Sequence, residues 1–324
     1  MKQALDDTAN TAQSAGGKKT ILVAGSSHPA FAEEVSSLLG KPLFPMKILH
    51  FPDGECRVHL KGEVAGCQAV IIQSLGKRPN EYLVETMLIA DALRRGGVSR
   101  IVLACPYLAY SRQNLPEQDG ASLAARLFAH FLHEAGISEL VTMDLHAEHI
   151  PSFYDFPVEH LSARQVLLAG LLERHRDQAP FVVVGPDLGS AKLVGHYAED
   201  LHSSFALIQK KRLDARSVET LSVVGEVKGM NVLLADDMCS TAGTLTSAAK
   251  VCQEKGAKNI FAVVTHGLFV DEALSRLQES PIKELFVSNT IAQDKEVLSS
   301  SKICVLSVAP TFAAAIARLV ARFC

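Results

Sequence analysis

The stretch 233–245, LLADDMCSTAGTL, runs from an apolar segment into two adjacent acids and then into Ser-Thr-Ala-Gly-Thr. Neighbouring carboxylates accept hydrogen bonds from sugar hydroxyls. Small hydroxyl residues and a glycine leading into a helix turn backbone N–H groups toward an anion. Asp236 and Asp237 with Ser240, Thr241, Ala242, Gly243 and Thr244 therefore suit a sugar phosphate, the acids on ribose and the loop on its phosphate. Gly243 would let the backbone approach that phosphate closely. Taken singly, Asp236 reads as a turn residue and Ser240 or Thr241 as an ordinary N-cap. The combination after a buried strand reads as a site.

Such a site needs a strand that ends at it. Apolar, β-branched runs predict strands over 20–24, 69–74, 100–107, 139–143, 181–185, 231–235, 259–265 and 284–288. Helix-length segments lie between them, among them 80–95, 121–135 and 243–255. Alternation of this kind implies α/β architecture with mostly parallel sheets, whose ligands sit beyond the carboxyl ends of the strands. The two halves also resemble each other: ILVAG from Ile21 parallels VVVGP from Val182, AVIIQS from Ala69 parallels NVLLAD from Asn231, and GVSRIVLACPY from Gly97 parallels GAKNIFAVVTH from Gly256. The spacing stays at about 160 residues, which points to a duplicated domain. Residues 1–17 read as a flexible leader, 18–160 as the first domain and 161–324 as the second. Where the second copy carries the two acids, the first has QSLGKRPN, so the acids belong to a site and not to the strand pattern as such.

The chain has 324 residues, 48% hydrophobic and 21% charged, with a formal net charge of −3, which suits a soluble protein of two domains and argues against a nucleic-acid partner. Seven scattered cysteines without a Cys-x-x-Cys pair read as reduced thiols of a cytoplasmic protein. No apolar run reaches the roughly 20 residues of a membrane span.

Other candidates follow predicted strands. Arg112 and Gln113 come after RIVLACPY, and the planar fork of an arginine suits phosphate or adenine. His146 follows ELVTMDL and Asp187 follows FVVVG. Lys210, Lys211 and Arg212 end FALIQ, as a solvated loop or as a flap of cations over phosphates. FPDGE, 51–55, reads by itself as an Asp-Gly turn between two strands.

In their order, FPDGE (51–55), YSRQ (110–113), DLHAEHI (144–150), GPD (185–187), KKR (210–212), DDMCSTAGT (236–244) and SNTI (288–291) resemble the ribose-phosphate pyrophosphokinase family, from about Lys18 to the C-terminus. The resemblance implies two tandem type I phosphoribosyltransferase-like domains, each a mostly parallel sheet flanked by helices. It implies transfer of the diphosphoryl group of Mg-ATP to the C1 hydroxyl of ribose 5-phosphate. By it, Phe51, Asp53, Gly54, Glu55, Arg112, Gln113 and His146 bind ATP, His146 and Asp187 position Mg2+, and Lys210 and Arg212 are catalytic. The residues at 236–244 hold ribose 5-phosphate. Reaching ATP across a subunit interface implies a homo-oligomer, a dimer or a hexamer. The chain departs from the family pattern in three places: NLPEQDGASLAAR follows Arg112-Gln113 where a basic run is common, Ser240 replaces an aspartate, and Asp214 stands where an arginine is frequent. Three alternatives accompany this reading: a phosphoribosyltransferase that consumes phosphoribosyl pyrophosphate, a non-catalytic regulatory subunit, and a module that binds nucleotide or sugar phosphate without turnover.

Overall fold

The structure is a computed structural model that describes residues 19–116, 118–211 and 220–322, with the backbone alone for Lys210, Lys211 and Thr220. The expected leader, 1–17, lies outside the described residues, as do Arg212 and Asp214.

The first sheet has five strands: β1 (Thr20–Ala24), β4 (Gln68–Ile72), β5 (Arg100–Cys105), β6 (Glu139–Met143) and β7 (Val158–Leu161), in the order β1-β4-β5-β6-β7 and parallel throughout. The second repeats that order in β8 (Phe181–Gly185), β11 (Asn231–Cys239), β12 (Asn259–Gly267), β13 (Glu284–Ser288) and β14 (Ile303–Leu306), again parallel. Two further strands, β9 (Phe205–Lys211) and β10 (Thr220–Val224), extend it beyond β8. At the matching place in the first half, β2 (Met46–His50) and β3 (Cys56–Leu60) form a separate antiparallel hairpin around 51–55. Residues of β4, β6, β8, β12 and β13 are buried along their whole length, which explains why these strands read as unbroken apolar runs.

Among the crossover helices, α1 (Pro29–Leu39), α2 (Pro79–Arg95) and α3 (Ala124–Glu134) serve the first sheet. In the second half α4 (Arg164–His175) lies on β12 and β13, α5 (Ala191–Asp200) on β8, and α6 (Gly243–Glu254) on β11. The short helices α7 (Ala273–Glu279) and α8 (Lys295–Leu298) precede the last, α9 (Ala309–Ala321). Helix α9 packs on α1, with Phe312 meeting Phe31 edge-on at 5.5 Å between ring centroids. Leu22, Phe31 and Val70 of the first half share one apolar cluster with Phe181, Leu233, Phe286 and Phe312 of the second. The halves therefore fuse through a common core as well as through polar contacts. No helix among the described residues is long and apolar enough to cross a membrane.

Several expected element boundaries and the internal alignment need correction, β4 for one ending at Ile72 and not at Ser74. Strand β5 stops at Cys105, before Pro106, which has no N–H to continue a ladder. Strand β11 does not stop at Ala235: it continues through both acids to Cys239, because β12 stays paired with it as far as Cys239↔Gly267. The internal alignment shifts by one residue. Ile72 stands opposite Ala104 as Ala235 stands opposite Val263, so Gln73 and Ser74 occupy the places of Asp236 and Asp237.

Candidate active site

The two acids lie where β11 has lost its other neighbour. Pairing with β8 ends at Leu234↔Val184, whereas β12 runs on, so Asp236 and Asp237 sit on a strand open along one edge. Behind them Ser240–Ala242 turn the chain into α6. The left-handed residue of that turn is Ala242 (φ 61°), which is buried; Gly243 follows as the first residue of the helix. A left-handed alanine is costly and persists where its surroundings hold it. Arg276 Nη1 donates to the Thr241 carbonyl (3.2 Å) and supports the turn from α7.

The opposite wall comes from the first half. His146 Nδ1 donates to Asp237 Oδ2 at 2.7 Å, joining the ends of β6 and β11. That hydrogen bond, and then Asp237's charge, raise the His146 pKa above its ordinary value. Burial alone would raise Asp237, but the hydrogen bond and charge of His146 outweigh it and hold Asp237 below the usual carboxylate range. Asp236 goes the other way: burial, then the charges of Asp237 and Asp187, push it well above that range. Two adjacent carboxyls thus share one proton between them more readily than they ionise together.

Asp187 lies in the loop after β8, where its Oδ1 accepts from Ser190 N (3.0 Å). Arg112 and Asp187 both act electrostatically on His146, so the loops after β5, β6, β8 and β11 converge. Gln113 faces its own loop, accepting from Ser122 Oγ (3.4 Å). The 51–55 turn does not join them. Its contacts are internal (Gly54 N to Phe51 O, 2.9 Å; Glu55 N to Asp53 Oδ1, 3.1 Å), Gly54 is left-handed (φ 95°), and Phe51 is exposed. Among the described residues nothing hydrogen-bonds this turn to 112–113 or 144–146. Lys210 falls near the end of β9 opposite Leu221; Arg212 is outside the described residues.

Sequence reasoning gave no role to the group that fixes the wall. Asp144 (φ 36°) accepts from Ala163 N (2.9 Å) and from Thr265 Oγ1 (2.6 Å), tying β6 to β12. His266 is wholly buried. Its Nε2 donates to the carbonyls of Met143 (3.2 Å) and Asp144 (3.1 Å), and its Nδ1 accepts from Thr290 Oγ1 (2.9 Å). Burial lowers its pKa, consistent with a neutral ring in that tautomer. The signals were present as DLHAEHI and SNTI, but only folding shows that Asp144 and Thr290 meet the same histidine.

The first copy supplies a contrast at the matching place. Gln73 donates to Glu85 Oε1 (2.6 Å) and accepts from Ser27 N (3.0 Å), and Ser74 Oγ donates to the Thr290 carbonyl (2.6 Å). An added Cβ on Gly25 would fall 2.3 Å from the Gln73 side chain, so this space is filled by the protein itself. One half has an open acidic strand end and the other a plugged one.

The family description "N-terminal domain of ribose phosphate pyrophosphokinase" matches residues 20–136, and "phosphoribosyl synthetase-associated domain" matches 212–322. The ribose-phosphate pyrophosphokinase of Clostridium acetobutylicum is 36% identical over 305 residues, covering 94% of this chain and 95% of its own. That of Clostridium perfringens is 38% identical over 304 residues, covering 93% and 95%. The crystal structure of phosphoribosylpyrophosphate synthetase from Mycobacterium smegmatis superposes with a TM-score of 0.89 at 34% identity, over 94% of this chain and 100% of that one.

Proposed function

Because this chain belongs to the ribose-phosphate pyrophosphokinase family, we infer that the strand ends around Asp236, Asp237 and His146 are where it performs the family's reaction. The chain is a diphosphotransferase with two phosphoribosyltransferase-like domains: it moves the diphosphoryl group of ATP to the C1 hydroxyl of ribose 5-phosphate, giving phosphoribosyl pyrophosphate and AMP. A phosphoribosyltransferase, a silent regulatory subunit and a binding module without turnover are not favoured.

In this reading Asp236 and Asp237 accept hydrogen bonds from the ribose hydroxyls, and Ser240, Thr241, Ala242, Gly243 and Thr244 hold the 5′-phosphate at the start of α6. The observation that carries it is the 2.7 Å bond from His146 to Asp237, which sets the sugar side of the second half against a strand end of the first. Asp237 stays ionised and ready to accept, while Asp236 releases its proton to solvent as a sugar hydroxyl takes its place on the carboxylate. Arg112, Gln113 and His146 take the nucleotide, and Lys210 and Arg212 are the cations assigned to its reacting phosphates. Transfers of this kind rest on alignment and on offsetting phosphate charge, without a covalent protein intermediate.

The donor set suits Mg2+: Asp187 offers carboxylate oxygens in an exposed loop near His146 and Asp236, and this ion prefers oxygen and keeps its waters. His146 would then act through water or phosphate. Bound with ATP, Mg2+ would withdraw charge from the phosphates. Phe51, Asp53, Gly54 and Glu55 stand apart from this cluster, so their part in holding ATP calls for a second copy of the chain, as a dimer or hexamer. Free cysteines are in keeping with a cytoplasmic location.

AMP release from ATP and ribose 5-phosphate with Mg2+, and no acceptor base, tests the reading. Release that depends on the sugar phosphate is expected. None from the purified chain, with altered turnover of an added synthetase, would transfer the case to the regulatory alternative.

A further inference from the structure

His50 closes β2 and Cys56 opens β3, and the hairpin register sets them directly opposite each other. Such cross-strand pairs place their side chains within reach on one face. Helix α2 packs on β3 and brings a third side chain, Glu85, to the same spot. One ligand atom from each, an imidazole nitrogen, the Cys56 sulfur and a Glu85 carboxylate oxygen, all lie within 4.8 Å of one another.

Glu85 is 2% exposed. It accepts from Ser26 N (2.7 Å) and Gln73 Nε2 (2.6 Å) on one oxygen and from Ser26 Oγ (2.6 Å) on the other, and among the described residues no ion pair offsets its charge. Buried charges are paired or coordinate metals. Those three donors fix the carboxylate in the way outer-shell partners orient a metal ligand. His50 is exposed, leaving a solvent side for a fourth ligand.

We propose that His50, Cys56 and Glu85 form a site for a borderline-soft divalent cation of the Zn2+ type, separate from the oxygen-rich place assigned to Mg2+. One nitrogen, one sulfur and one oxygen, with water in fourth place, is a donor set such an ion accepts and Mg2+ does not. On binding, the Cys56 thiol gives its proton to solvent as the metal–sulfur bond forms, with no change of oxidation state. The ion ties both ends of the 51–55 turn to α2, so it fixes the mouth of the hairpin that carries Phe51, Asp53 and Glu55.

Cobalt(II) titration of the metal-free full chain tests this. One equivalent is expected to bind, with a thiolate-to-cobalt charge-transfer band and the visible bands of a four-coordinate ion. Stoichiometric Zn2+ should displace it and excess Mg2+ should not. Glu85 also holds Ser26 and Gln73, so its replacement risks the fold; the hairpin variants avoid this. Cys56→Ser should abolish the charge-transfer band. His50→Ala should weaken affinity by at least the roughly 10–100-fold that loss of an outer-shell partner costs. Absence of bound cobalt, a band that survives Cys56→Ser, or unchanged affinity in His50→Ala overturns the site.

Discussion

The His146–Asp237 bond joins the two halves beside the substrate position, and its strength can be measured through a double-mutant cycle of His146→Ala, Asp237→Asn and the pair. A hydrogen bond to a charged group is worth about 1.5–3 kcal/mol when well buried. Here the His146 side chain is 39% exposed and that of Asp237 18%, so solvent screening lowers the expected coupling to about 1 kcal/mol. The pH dependence follows from the two shifts. His146 is raised in the fold, so its share is complete below its ordinary value near 6.5 and disappears as pH rises through the higher folded value. Asp237 is lowered, so its share is present above its ordinary value near 3.8 and disappears as pH falls through the lower folded value. Coupling should therefore be greatest between those two ordinary values and fade toward alkaline pH. Urea unfolding of the four proteins at pH 6 and pH 9 measures it. Equal coupling at both pH values, or none at pH 6, would refute a charge-assisted bond between the halves.

Lys210→Ala and Arg212→Ala should keep the fold and lower turnover by on the order of 100–1,000-fold each; near-normal AMP release would remove both from the catalytic group. Asp236→Ala should weaken ribose 5-phosphate by about 1.5–3 kcal/mol while leaving ATP affinity alone, and calorimetry giving unchanged sugar-phosphate affinity contradicts that assignment. Phe312→Ala empties the contact with Phe31 and should cost about 3–5 kcal/mol. Since that core spans both halves, scanning calorimetry should register one transition moved down as a unit, and a shift confined to the second half would argue against a shared core.

The central strands were legible because burial on both faces leaves a continuous apolar run, as in FVVVG and NIFAVV. The duplication was legible for the same reason, since both copies need the same strands in the same order. What the residues did not reveal was how far pairing continues. Nothing local marks the loss of β8 at Leu234 while β12 stays, and that difference is what leaves the acids on an unpaired strand edge. A one-residue error in aligning the copies had the same origin, for register is set by neighbouring strands. Ala242 was hidden because alanine gives no sign of left-handed backbone beside a glycine that might have taken it. The links from Asp144 to Thr265 and from His266 to Thr290 depend on elements far apart in the chain. The hairpin turn of 51–55 was readable from Asp-Gly alone, but what it touches was not.

The shared cluster gives the order of synthesis a physical meaning. Residues 309–321 are translated long after α1, yet they form the wall against which α1 buries Phe31. The leading half therefore leaves the ribosome with an apolar side uncovered until α9 is made. A nascent chain stalled before α9 would leave that side without its cover.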